Sequence, residues 1–301
     1  MSARLKTYPI VWSSHAKYSN TTAPFATGQR VIWLMPMLIG IPVGVIMGLT
    51  GAGGGMLALS ALVLLLDWNM AQATPLALMA VTAGAYIGAI DGLRKKLVRY
   101  RAALLMATMG APCAVLGVQV ARVLPQAWLM GSFALVLLWV GSRLLMANRQ
   151  EQTAAEAATH STHTMARLNP LTGRFDWSQK TALVIASIGG VAGFMTGLLG
   201  VGGGFVIVPL LRHYSNLSMH GAIATSLLTI GLVGSVGVSS ALSHGVDLPH
   251  TFSFIFIAAT IVGMLLGRRL VAHLPAKTVQ NLFAILLLLV AASMALKVMF
   301  G

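Results

Sequence analysis

The residues most able to do chemistry in this 301-residue chain are glycines. Gly51, Gly53, Gly54 and Gly55 stand in the order Gly-Ala-Gly-Gly-Gly, and Gly200, Gly202, Gly203 and Gly204 repeat that pattern as Gly-Val-Gly-Gly-Gly. Each glycine in a helix costs up to about 1 kcal/mol relative to alanine, so three in succession are expected to interrupt one. An interruption leaves backbone N–H groups bare at the positive end of the helix that follows. Glycine also lets a ligand touch the main chain. Successive bare amides form an anion site that needs no Lys or Arg in the surrounding apolar segment. The competing reading is that the glycines only permit close helix crossings. Two soluble-enzyme motifs fail on spacing. A dinucleotide fingerprint needs glycine at the sixth position, where Met56 and Phe205 stand, and a P-loop needs Gly-Lys, which never occurs.

Few side chains compete with the glycines. Thr225 and Ser226 follow the second run at the start of an apolar stretch, where a hydroxyl can donate to an oxyanion or to the carbonyl one turn back. Gln72 and Thr74 are the nearest polar groups at the related place after the first run. His220 reads as an interfacial residue. Asp91, with Arg94 and Lys95 three and four residues on, reads as a helix-end ion pair rather than an ion-coupling carboxylate. His160 and His163 lack two further ligands of suitable spacing, so no metal site is expected. Cys113 has no partner for a disulfide and reads as packing.

These residues must be held by helices in a membrane. Hydrophobic residues make up 57% of the chain and charged ones 9%, far below the quarter usual in soluble domains. Uncharged apolar runs of spanning length, or close to it, cover 31–49, 102–121, 127–142, 181–199, 222–242, 251–267 and 279–296, with a shorter one at 75–90. They do not alternate as barrel strands would, so the expectation is an all-α polytopic integral membrane protein of about 8–10 membrane helices. A run at 31–66 is about 54 Å as one helix, too long for a hydrocarbon core of about 30 Å. It should therefore end near Leu49, turn, and resume as a half-helix from about Met56 to Leu66. The formal charge of +14 comes from clusters between apolar runs, which reads as topology rather than nucleic-acid binding. Polar composition marks 1–30 as a tail and 148–180 as a linker between membrane regions 31–147 and 181–301.

Those two regions read as tandem repeats. A shift of 149 places Gly40, Gly44 and Gly48 on Gly189, Gly193 and Gly197, and carries the first glycine run onto the second. Glycine is only 32 of 301 residues, so chance does not produce this alignment. A shift of 150 places Leu124-Pro125 on Leu274-Pro275 and Phe133 on Phe283. Four crossings per repeat would make the repeats parallel; five would make them inverted, with the N-terminal tail outside. Both satisfy the positive-inside rule, so the charge pattern leaves parity open.

Val208-Pro209-Leu210 after the second glycine run, and Ala222-Ile223-Ala224-Thr225-Ser226-Leu227 on the next helix, resemble the sulfite exporter TauE/SafE family. That family carries a GxGGG element, a proline soon after it, and an Ala-x-x-Thr-Ser-Leu stretch. The first repeat departs from it, with Ser60 in place of the proline and Leu76-Ala77 in place of Thr225-Ser226. The resemblance implies a multi-pass inner-membrane carrier, not an enzyme, for sulfite, sulfonates or related small anions. Its expected surroundings are the lipid bilayer and no nucleic acid; self-association stays open. No cofactor or nucleotide motif is present, so the driving force would be a gradient or the substrate's own.

Overall fold

A computed structural model describes residues 25–50, 54–154, 178–215, 217–243, 248–270 and 276–300. Ten helices follow one another along them: α1 (Phe25–Thr50), α2 (Gly54–Leu65), α3 (Met70–Arg94), α4 (Tyr100–Val123), α5 (Gln126–Ala154), α6 (Gln179–Leu199), α7 (Gly204–Tyr214), α8 (Met219–Leu242), α9 (His250–Leu270) and α10 (Ala276–Phe300). Five of them, α3, α4, α6, α8 and α9, are long and apolar enough to cross a bilayer, and Leu34–Thr50, Gly54–Leu65 and Asn281–Lys297 are shorter apolar stretches. Helix α1 ends at Thr50 and α2 runs from Gly54 to Leu65, each end within one or two residues of the expected one; the residues between them lie outside the described ones. Two boundaries differ. Helix α1 begins inside the predicted tail, at Phe25, and α5 runs into the predicted linker as far as Ala154. Continuing a helix past its apolar run keeps the backbone bonded, and a short polar end costs little.

The helices start where the sequence offers caps. Asn69 Oδ1 accepts from the Gln72 amide at the start of α3 (2.8 Å). Ser178 and Ser218 do the same for the amides of Thr181 and Gly221, opening α6 and α8.

Glycines spaced by four decide which helices meet. A β-carbon on Gly40, Gly44 or Gly48 of α1 would overlap the carbonyl oxygens of Phe256, Thr260 and Met264 of α9 in turn. On α6, Gly189, Gly193 and Gly197 stand in the same relation to the carbonyls of Met106, Gly110 and Ala114 of α4. In both pairs the residue numbers rise together, so the paired helices run parallel. Without Cβ atoms the backbones approach to van der Waals contact, which is what drives helix association where lipid competes for apolar surface.

Helices α3 and α8 form the centre. Their apolar windows are 61% and 67% buried, against 39–44% for α4, α6 and α9, which turn residues such as Leu104, Leu183 and Phe254 outward. Gly92 lies on Ala224, Gly88 on Leu227, Gly231 on Tyr86, Gly234 on Thr82 and Gly237 on Leu78, so α3 and α8 cross antiparallel. The Tyr86 hydroxyl bonds Ser235 Oγ (2.8 Å), its counterpart 149 positions on. Ser235 spends its own proton on Gly231 O, so Tyr86 is the donor.

Candidate functional site

The second glycine run is described in full. Gly200 ends α6 in the left-handed conformation (φ 67°), and its N–H donates to Thr196 O at 2.8 Å. Gly202 (φ 82°) and Gly203 (φ 61°) continue in that region, which side chains other than glycine rarely adopt. The α7 ladder then begins with Val206 and Ile207 donating to Gly203 O. The N–H groups of Gly204 and Phe205 precede those bonds, at the positive end of the helix dipole. Of the first run, Gly54 and Gly55 open α2 and are buried; Gly51 and Gly53 lie outside the described residues.

The two interruptions meet. A β-carbon on Gly55 would overlap the Val201 carbonyl oxygen and touch Val81. One on Gly202 would press on Val81 and Ile230. Val81 is at the midpoint of α3 and Ile230 at that of α8, so the contact lies halfway along the two most buried of the five spanning helices. The N-termini of α2 and α7 therefore converge at mid-depth, and Val201 is fully buried there. In this structure they are closed on each other.

The backing of the two tips differs. Behind Gly203 stands the Thr196 hydroxyl, buried and donating to Ala192 O at 2.7 Å. Behind Gly54 stands Met47, at the related position in the first half. Thr74, half-buried, lies against Gly200 through its methyl and carbonyl groups. Gln72 is exposed near the N-terminal end of α3, its amide used in the cap. Thr225 and Ser226 are fully buried, with their hydroxyl protons committed to Gly221 O (2.7 Å) and Ile223 O (2.8 Å). Thr225 Oγ1 also accepts from the Arg99 amide at 3.0 Å, which ties the loop between α3 and α4 to α8. The geometry thus brings Thr74 to the second tip and leaves Gln72 apart from it.

Several contacts had no sequence signal. Asp91 does pair with Lys95 (3.0 Å), as its spacing suggested, but its closer partner is Arg268 on α9, at 2.6 Å and 177 positions away. Asp67 pairs with Lys297 on α10. Thr82 Oγ1 is buried on the face of α3 toward Gly234 without a hydrogen-bond partner. Among the contacts between distant helices, the Tyr86–Ser235 bond has a sequence signal in its 149-residue spacing. Among the described residues, no three His, Cys, Asp or Glu side chains converge on a metal position.

Fold and site together define a polytopic helical membrane protein built around two interrupted helices that meet at its centre. The chain belongs to the sulfite exporter TauE/SafE family, which matches residues 36–294. A protein of Xylella fastidiosa (strain 9a5c) described as a probable membrane transporter protein is 30% identical over 252 residues, covering 83% of this chain and 89% of that one. The probable membrane transporter protein MamO of Paramagnetospirillum magneticum is 24% identical over 278 residues, covering 86% of this chain and 44% of MamO. No solved structure matches. The chain is therefore a multi-pass membrane protein of a transporter family.

Proposed function

We propose that this protein is a secondary carrier that moves a small oxyanion, sulfite or a sulfonate, across the inner membrane. The observation that carries the reading is the meeting of the α2 and α7 N-termini at the level of Val81 and Ile230. Two positive helix ends then converge at one mid-depth level, which favours an anion over a neutral or cationic solute. The proposed first contacts are the amides of 51–55 and 200–204. Thr225 and Ser226 contribute once released from Gly221 O and Ile223 O, Thr74 borders the second tip, and Gln72 belongs to the approach. Because Gly55 touches Val201, the anion enters only after the two halves separate, and rocking of one half on the other opens each side in turn.

The antiparallel α3–α8 crossing and the parallel α1–α9 and α4–α6 pairs favour inverted halves of five helices each. That arrangement gathers twelve of the fifteen basic residues among the described ones, Arg94, Arg101, Arg143 and Arg268 included, at one end of the bundle. The positive-inside rule makes that end cytoplasmic, with the N-terminus outside; an N-terminal tag reached only from the cytoplasm overturns this orientation.

Flux decides the function. Purified protein in liposomes is expected to take up radiolabelled sulfite or a simple sulfonate, with saturation and with competition by the other. Saturable uptake of a cation instead, or no flux of any of these anions through folded protein, overturns the reading. The second outcome favours a non-transporting partner subunit.

A further inference from the structure

Asp67 and Asp91 both belong to the first half of the chain, and each is held by a base from the second half. They stand at the two ends of α3, Asp67 three residues before it begins and Asp91 in its last turn, with about 32 Å of helix between. Val81, where the glycine tips meet, lies between them.

At the C-terminal end of α3, Arg268 of α9 donates to Asp91 Oδ2 (2.6 Å) and reaches Gly88 O (3.3 Å). At the N-terminal end, Lys297 of α10 donates to Asp67 Oδ1 (2.5 Å) and to Val63 O on α2 (3.1 Å). The equivalents of the acids 149 positions on are Asn216 and Ser240. Those of the bases 150 positions back are Val118 and Ala147. Neither pair therefore follows from the resemblance between halves. Each is an added link across their seam.

We propose that these ion pairs are the two gates of the carrier, one at each end of the seam, released one at a time as the halves rock. Elsewhere the halves meet through the glycine crossings, the Tyr86–Ser235 bond and the Arg99 amide on Thr225, none of which joins opposite charges. An ion pair at the rim can open because water takes over its charges. Asp91 and Arg268 are 37% and 27% exposed, and Asp67 and Lys297 are 83% and 35% exposed, so neither release strands a buried charge. Lys95, also within 3.0 Å of Asp91, keeps that carboxylate partnered after Arg268 leaves. The less exposed Asp91–Arg268 pair is the tighter gate, since screening by water weakens the other more.

This inference rests on the transport reading, because only a carrier uses two closures in turn, but its test needs no substrate. Cys113 is the only cysteine, so Cys113→Ser with Val81→Cys gives a single thiol beside the tips. Its reaction with a charged, membrane-impermeant methanethiosulfonate is measured in vesicles of both orientations. Arg268→Gln is expected to raise the rate about fivefold, only from the surface at the C-terminal end of α3. Lys297→Gln should raise it about twofold, only from the opposite surface, in keeping with the small worth of exposed pairs. Asp91→Asn should repeat the effect of Arg268→Gln. The exchange Asp91→Arg with Arg268→Asp should return the rate toward that of the parent. A rise from both surfaces, from the wrong one or from neither overturns the proposal, as does an exchanged pair that folds without restoring closure. Absent anion flux with the one-sided labelling intact would count against the anion assignment and leave the gates standing.

Discussion

The α1–α9 and α6–α4 crossings are the same contact made twice, whereas the two glycine tips they carry are not alike. In each crossing three glycines spaced by four accept three successive carbonyls. At the tips, Gly200, Gly202 and Gly203 hold positive φ and Gly203 is backed by the Thr196 hydroxyl, while Gly54, the counterpart of Gly203, has no positive φ and is backed by Met47. The contrast separates two uses of glycine. Along a helix its value is the missing β-carbon, which any residue of zero bulk would supply. At the second tip its value is also the backbone conformation, which no other residue adopts at so little cost.

The crossings provide the largest expected effect. Gly44→Leu would drive a side chain into Thr260 O, and Gly193→Leu into Gly110 O. Each should cost about 3 kcal/mol or prevent folding, because overpacking against backbone cannot be relieved by a rotamer change. Thermal unfolding in detergent should show the two losses to be equal; unequal losses would break the equivalence of the crossings. The tips are expected to differ next. Gly203→Ala and Gly54→Ala both meet overlap, at Ala192 O and at the Met47 β-carbon, but only Gly203 adds left-handed strain. The former should lose about 1–2 kcal/mol more than the latter, read by the same unfolding measurement. The smallest effect falls on Thr225, which has Leu76 as its counterpart in the first half. Thr225→Val leaves the Arg99 amide without its acceptor and should cost about 1 kcal/mol, while Thr225→Ser should cost less. A rise in KM with unchanged stability would make Thr225 a ligand first and a loop latch second.

The glycine run and the glycine spacing were legible because a helix break and a four-residue stripe are local properties of the chain. So were the apolar spans and the Asp91–Lys95 pair, which joins residues within one turn. Parity was not legible. Charge counts satisfy either arrangement, and the order of residues facing across α3 and α8 appears only once the helices are placed side by side. Thr225 shows a subtler limit. Its type and position suited an oxyanion donor, yet its proton goes to Gly221 O, because a hydroxyl inside an apolar helix finds the carbonyl one turn back before any other partner.

By itself, then, the sequence determined an all-helical membrane chain with two glycine interruptions and two stripes ready to be crossed, since backbone satisfaction in lipid and glycine propensity act over a few residues. Only the tertiary structure decided that the interruptions face each other at Val81 and Ile230, that Arg268 reaches Asp91, and that α3 and α8 run oppositely. Those outcomes join residues more than a hundred positions apart. Which distant surfaces meet depends on how all ten helices fill space together, and no local rule of the chain encodes that.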